Sequence, residues 1–301
     1  QRVCDAGTAE ASLAAVQASM HHDIGKPRAS FRQLFRPAMK LVLTIGVGIA
    51  ILQQITGINA VFFYAPMIFE RSGIGTDAAF LQAILVGIVN IVFTVIAMSL
   101  IDKLGRRVLL GVGLAGISMC MLTLAYGFGV AHYQLTEESI SALPVGIERE
   151  QLAPLAGVTY DSDIAYRQAV SQALGPDQYQ QHESQLIGAA IEIQPLLILF
   201  GILGFVASFA VSLGPVMWVL FSELFPNQLR GLAISFVGLI NSAVSFGVQL
   251  VFPWELENLG NSMAFLIYGL FGIAGLLFVM RVLPETKGRS LEELEQQLVE
   301  S

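Results

Sequence analysis

The sequence predicts an all-α membrane protein with six spanning helices, set out as three spans, a long connection and three more. Three observations predict it. The chain is 54% hydrophobic and 13% charged, far outside the balance of a water-soluble domain. Its apolar residues gather into six runs, each close to the roughly 20 residues that a helix needs to cross a bilayer. Lysine and arginine concentrate on alternate connections, the asymmetry that sets orientation in a membrane.

The elements follow in chain order. Residues 1–36 mix polar and apolar side chains. An alanine-rich stretch, 10–20, is helical in pattern and runs into Phe31-Arg32-Gln33-Leu34-Phe35-Arg36-Pro37, so 1–36 reads as a cytoplasmic helical linker. The chain begins with Gln1 and no apolar run resembles a signal peptide, so it reads as a fragment or processed piece. Residues 37–131 hold three spans, near 40–66, 80–101 and 108–131, joined tightly by 70–79 outside and 102–107 inside. Residues 132–192 form a long extracytoplasmic loop, partly helical. Helices are expected at Asp163–Leu174 and, after the Gly175-Pro176-Asp177 start signal, at 178–190. Residues 193–283 hold spans near 195–221, 231–253 and 262–282, and 284–301 is a polar cytoplasmic tail.

Charge fixes the orientation. With the N-terminus cytoplasmic, Arg2, Lys26, Arg28, Arg32, Arg36, Lys40, Lys103, Arg106, Arg107, Arg230, Arg281, Lys287 and Arg289 fall on cytoplasmic segments. Only Arg71, Arg149 and Arg167 fall outside, and an even number of spans returns the C-terminus to the cytoplasm. The net charge of −7 owes much to acids of the outer loop, such as Glu137, Glu148, Asp161 and Glu183, where solvated backbone tolerates charge. No basic cluster suggests a nucleic-acid partner. Cys4 lies in the lead and Cys120 inside the third span, so no disulfide is expected.

Polarity inside the spans carries the functional signal. Gln53-Gln54-Ile55-Thr56-Gly57-Ile58-Asn59 lies in the middle of the first apolar run, where a polar side chain marks a pathway or a binding site. Carboxamides donate and accept without charge, which suits a neutral polyhydroxyl ligand better than an ion. On an ideal helix Asn59 points about 120–140° away from both glutamines. Either the backbone loosens around Thr56-Gly57, or the three serve different partners. Asn90 and Asn241 lie near the centres of the second and fifth spans. A lone asparagine there is commonly interhelical glue, but carboxamides at one depth on three helices outline a midplane cavity.

Interruptions add to this. The first span is broken at Gly57 and the fourth at Gly214-Pro215, corresponding positions in two three-helix repeats, the arrangement of inverted-repeat transporters. Trp218 is an interfacial anchor or an aromatic wall for a sugar's C–H face; Phe63 and Tyr64 are anchors or an outer lid. At the cytoplasmic boundary Asp102, Arg106, Arg107, Glu223, Arg230 and Glu285 can lock helix ends in one conformation and release them in another. No catalytic motif, cofactor-binding motif or metal-ligand spacing is present in the sequence, His21, His22, His132 and His182 included.

Taken together these residues resemble the C-terminal half of a sugar porter of the major facilitator superfamily, built from two inverted three-helix repeats. The resemblance rests on Gln53-Gln54-Ile-Thr-Gly57-Ile-Asn59, Asp102-Lys-Leu-Gly-Arg106-Arg107, Gly214-Pro215-Val-Met-Trp218 with Ser222-Glu223-Leu-Phe-Pro226 and Arg230-Gly231, and Pro284-Glu285-Thr-Lys-Gly288-Arg-Ser. They fall in family order across residues 31–295, and bacterial xylose–proton and related sugar–proton symporters are the nearest pattern. The spans would then be helices 7–9 and 10–12 of twelve. The resemblance implies that Gln53, Gln54, Asn59, Asn90, Trp218 and Asn241 contact a sugar and that Phe209 and Gly214 line the same cavity. It also implies that Asp102, Arg106, Glu223 and Arg230 form the inner charge network.

Three departures stand out. Ser242 replaces a usual second tryptophan, Phe63 replaces one of a pair of tyrosines, and compact members lack the 132–192 insertion, which is expected to form a periplasmic cap. The implied function is transport of a monosaccharide by alternating access, as proton-coupled symport, in a bacterial inner (plasma) membrane. A cyclitol such as myo-inositol is the alternative substrate, and a transporter-like sugar sensor the alternative class. The implied partners are the sugar, a proton, the lipid bilayer and an N-terminal six-helix half.

Overall fold

The computed structural model describes residues 30–62, 76–285 and 287. The expectations for 1–29, for Phe63 and Tyr64, and for 288–301 lie outside the described residues. Among those described, six helical segments are long and apolar enough to cross a membrane: Pro37–Phe62, Ile84–Leu104, Arg106–Gly129, Pro195–Leu224, Arg230–Asn258 and Gly260–Val282.

Two 3-10 turns, Phe31–Phe35 and Pro37–Met39, lead into the first span. Arg36 is extended (φ −65°, ψ 150°), as a residue before proline must be. Helix α1 (Lys40–Ile55) breaks at Thr56-Gly57 and resumes over 58–62; α2 (Thr76–Leu104) and α3 (Arg106–Gly129) complete the first three spans. An extramembrane unit follows. It comprises β1 (His132–Gln134), α4 (Glu137–Ala142), α5 (Arg149–Leu152), a 3-10 turn (Ala153–Leu155), β2 (Thr159–Tyr160), α6 (Asp163–Leu174), α7 (Pro176–Ala190) and β3 (Ile191–Glu192). The fourth span is split into α8 (Pro195–Val211) and α9 (Leu213–Leu224), and α10 (Arg230–Asn258) and α11 (Gly260–Val282) close the bundle.

Helix α3 is the scaffold, packed most extensively on α11 and α8, while α8 also covers α2 and α10 covers α1. Small residues set these approaches, because van der Waals contact rather than water exclusion must hold apolar helices together in lipid. A Cβ on Gly113 would stand 1.9 Å from Ser212 Oγ, and one on Gly272 would stand 2.5 Å from Ser118 Oγ. By contrast α2 and α10 bury only 17% of their most apolar stretches, so each presents an apolar face to its surroundings.

Two helix starts share one device. Gly105 (φ +94°) precedes α3 and Gly260 (φ +80°) precedes α11, a left-handed backbone that glycine adopts without penalty. The Glu285 carboxylate accepts from Arg106 N at 3.0 Å and Arg107 N at 3.2 Å. Asp163 Oδ2 accepts from Asn261 N at 3.0 Å. Both carboxylates come from outside the spans, satisfy first-turn amides that no helix can satisfy itself, and meet the positive end of the helix dipole. A Cβ at either glycine would lie 2.6 Å from a carboxylate oxygen, so glycine is needed for space as well.

The 132–192 unit has its own core, built on Tyr133, Leu135, Leu152, Tyr166, Val170, Leu186 and Ile187. Helix α6 has the expected bounds, whereas α7 starts earlier, at Pro176, a residue suited to the first helical position. The antiparallel sheet, in order β2-β1-β3, was not anticipated. Tyr133 stacks on Tyr166 at 5.6 Å, and the Tyr166 hydroxyl donates to Leu186 O at 2.7 Å. Burial pushes that phenol well above its ordinary range and keeps it a neutral donor. Asp163 is buried beside Arg167 (3.7 Å), whose other arm reaches Glu183 (3.4 Å). This cluster ties the unit to the start of α11.

The fifth span corrects one boundary. It does not end at Pro253 but runs through it to Asn258, as membrane helices accept an internal proline when neighbours re-satisfy the backbone.

Replacing Gly113 by alanine is expected to destabilise the bundle by about 1–3 kcal/mol, the usual range for overpacking. Gly87, with nothing within 4 Å of its Cβ position, serves as the control, and its replacement by alanine should not lower the thermal unfolding midpoint, since alanine is the better helix former.

Candidate functional site

The centre of the site is the break in the first span. Thr56 N donates back to Leu52 O at 3.2 Å and Gly57 N to Gln54 O at 3.0 Å, closing α1. At Gly57 (φ +89°) the chain turns, and Val61 N bonds to Gly57 O at 2.9 Å as the helix resumes. The backbone therefore loosens, the first of the two options that the helical angles left open. Asn59 is carried back onto Gln54, its Nδ2 donating to Oε1 at 2.7 Å.

Helix α10 completes the cluster. Asn241 Nδ2 donates to Ala50 O at 2.9 Å and to Gln53 Oε1 at 2.7 Å. Gln54 Nε2 donates to Asn241 Oδ1 at 3.0 Å and to Gln53 Oε1 at 3.2 Å. Gln53 Nε2 donates to Leu213 O at 3.1 Å, where the fourth span is split. Every nitrogen and oxygen of these three buried carboxamides has a partner, as burial demands. Asn59 Nδ2 also donates to Ser245 Oγ at 2.6 Å, and Gln249 Nε2 to the same oxygen at 3.0 Å. Ser245 and Gln249 escaped the sequence reading. They stand four and eight residues beyond Asn241, on its face of the helix, and that spacing was the signal that could have found them. With Asn241, Ser242, Phe246 and Leu250 they line a groove of about 450 Å³.

The fourth span breaks at Ser212 (φ −124°, ψ −98°), two residues before the expected Gly214-Pro215. Pro215 falls in the first turn of α9, where its missing amide costs nothing, and its ring could not pack against Val211 O, four residues earlier and the last of α8, so the interruption falls just upstream of the proline. Ser212 is fully buried and its hydroxyl donates to Ser208 O at 2.7 Å. Gly214 lies against Phe209, at ordinary contact distance for a Cβ (3.4 Å), and Phe209 is itself buried and stacked on Phe205. Trp218 is 48% exposed and meets Phe221 edge-on at 5.9 Å.

Asn90 is not brought into the cluster. It is half-buried on α2, which packs on α8 rather than α1, and it makes no hydrogen bond among the described residues. Depth along a helix fixes height and leaves the azimuth open.

A second constellation closes the end of the bundle opposite the 132–192 unit. Arg106 holds Glu223 in a two-pronged pair, Nη2 to Oε1 at 2.6 Å and Nε to Oε2 at 3.1 Å. Its Nη2 also reaches Asp102 at 3.0 Å, and its Nη1 donates to Ile101 O at 3.1 Å. This fork ties the start of α3 to the end of α9, with Glu285 on the adjacent amides. Arg230 does not join it. Its Nε donates to Phe225 O at 3.3 Å, and it forms no ion pair among the described residues, because the turn after α9 directs it back to its own backbone. No group of His, Cys, Asp and Glu among the described residues could hold a metal ion.

Residues 4–146 and 184–298 match the family model described as Sugar (and other) transporter. The chain is 33% identical over 260 residues to the D-xylose-proton symporter of Escherichia coli (strain K12), covering 84% of this chain and 40% of the relative. It is 30% identical over 267 residues to the arabinose-proton symporter of Bacillus subtilis (strain 168), covering 89% and 45%. Among solved structures it is similar to the major facilitator superfamily proton:xylose symporter XylE bound to 6-bromo-6-deoxy-D-glucose. That match has a TM-score of 0.60 and 32% identity, over 85% of this chain and 42% of the other. The chain spans about half the length of the curated relatives it matches.

Gly57→Ala is expected to be costly at this site. The methyl would lie 3.1 Å from Tyr268 Cγ and 3.2 Å from Met121 Cε, on a backbone that non-glycine residues avoid. Loss of about 1–3 kcal/mol in unfolding free energy is expected, measured against Gly87→Ala.

Proposed function

The chain belongs to the Sugar (and other) transporter family, as an integral multi-pass membrane protein carrying the C-terminal half of the major facilitator fold. From that premise we propose that it forms one wall of a monosaccharide cavity in a proton-coupled symporter working by alternating access. The cluster of Gln53, Gln54, Asn59 and Asn241 carries the reading. A neutral sugar can exchange its hydroxyls for the bonds these groups make to one another, at small net cost, because one set of hydrogen bonds replaces another. An ion would find no counter-charge among them. Pentoses are the favoured substrates, since xylose and arabinose are named for similar proteins. Proton coupling enters on the same ground, and its groups are assigned to the other half.

The break at Gly57 gives binding a mechanical consequence. The Gln54–Asn59 bond spans it, so a sugar that replaces this bond releases 58–62 from α1. Asn90, Phe209, Gly214 and Trp218 are assigned to the same cavity as secondary walls, and Phe63 and Tyr64 to its outer gate. The Arg106–Glu223–Asp102 fork, with Glu285, is assigned as the inner latch, with the Gly105 end taken as cytoplasmic and the 132–192 unit as outside on the distribution of lysine and arginine. The apolar faces of α2 and α10 meet the other six-helix half or lipid.

Gln54→Ala in the complete transporter removes the acceptor of one Asn59 bond and the donor to Asn241 Oδ1 and is expected to weaken sugar uptake about tenfold or more at normal abundance. Unchanged uptake would refute the assignment. Glu223→Gln weakens the two-pronged pair and is expected to increase labelling of a cysteine placed beside Asp102 by a membrane-impermeant reagent applied from the latch side. Unchanged labelling would remove the latch role.

A further inference from the structure

The groove along α10 has two chemically different ends. At the Gln53 end all the carboxamide atoms are already engaged. Toward the 132–192 unit the balance changes. Asn59 and Gln249 bond only through their amide nitrogens, so Asn59 Oδ1 and Gln249 Oε1 have no donor among the described residues. Ser245 Oγ accepts twice and its proton goes to no acceptor among the described residues. Ser242 is exposed and makes no hydrogen bond among them either.

These groups recur on one side of α10, at positions 242, 245 and 249, so they form a stripe. From Asn241 to Gln249 it runs about 12 Å at the helical rise, longer than one sugar ring. The groove they line holds about 450 Å³, and Phe246 and Leu250 give it apolar flanks of the kind that pack on C–H faces. Among the described residues no basic side chain lines it. Its unengaged groups are two carbonyl oxygens and two hydroxyls, which together suit hydroxyl donors and repel carboxylate or phosphate.

We propose that Asn59, Ser242, Ser245 and Gln249 form a second subsite that takes the hydroxyls of a neutral sugar beyond the ring held by the carboxamide cluster. A neutral disaccharide is long enough to occupy both subsites, whether or not it is carried across. A phosphorylated or carboxylated sugar is excluded. The proposal rests on the reading that the cluster binds the first ring. The competing use of the stripe is packing against the other six-helix half, which would make these residues structural.

The test compares xylose with xylobiose as ligands of the complete purified transporter by equilibrium binding. Xylobiose is expected to compete with xylose at least as tightly as xylose itself. Gln249→Ala combined with Ser242→Ala should weaken xylobiose about three- to tenfold while changing xylose by less than about twofold, the scale of one lost hydrogen bond. Gln54→Ala should weaken both sugars. Three results would overturn the subsite: no competition by xylobiose, equal weakening of both sugars by the stripe variant, or a lower unfolding midpoint with binding unchanged. The last is the signature of packing against the other half. Failure of xylose itself to bind the unaltered protein would instead overturn the reading of the carboxamide cluster as the site of the first ring.

Discussion

A hydrocarbon layer offers no hydrogen-bond partner, and the structure around Gln53, Gln54 and Asn241 follows from that. Each carboxamide must find its donors and acceptors within the bundle or remain destabilising by several kcal/mol. The solution links three elements: Asn241 of α10 binds Ala50 O and Gln53, Gln54 binds Asn241, and Gln53 binds Leu213 O at the start of α9. The register of α1 against α10 and the position of the split in the fourth span are thus fixed by one polar cluster. The break at Gly57 is the remaining piece, because only a turn there returns Asn59 to Gln54.

The same rule operates at the helix ends. The first amides of α3 and α11 receive carboxylates from segments outside the spans, Glu285 and Asp163. Since α3 and α11 are the most extensively packed pair, the scaffold is pinned at opposite ends by charges that belong to extramembrane chain. Among the described residues no carboxylate pins the starts of α1 and α10, the two helices that share the carboxamide cluster. That asymmetry suits a fixed frame beside movable walls.

The six spans were legible because apolar run length alone determines them. Helix α6 was legible because Ser162 supplies an N-cap and Gly175 a stop. The odd polarity of Gln53, Gln54 and Asn59 also announced itself, and the angular conflict between them named Gly57 as the place to bend. The fourth span is interrupted beside Gly214-Pro215, but the break itself falls at Ser212, because a proline disrupts the turn that precedes it rather than its own position. Other features left no local trace. Asn90 shares depth with the cluster yet stands on a helix packed elsewhere, since a sequence gives height more readily than azimuth. Strands of two and three residues in the 132–192 unit are too short for alternation to register. Ser245 and Gln249 gain meaning only once Asn241 is known to face the cluster, and Asp163 only once Gly260 is known to lie beside it.

The most direct measurement is a structure of the complete transporter with a bound pentose. The expected density places sugar hydroxyls between Gln54, Asn59 and Asn241, with the 2.7 Å Gln54–Asn59 bond broken and 58–62 displaced about Gly57. A sugar bound elsewhere, with the carboxamide cluster unchanged, would contradict its assignment as the sugar-binding wall.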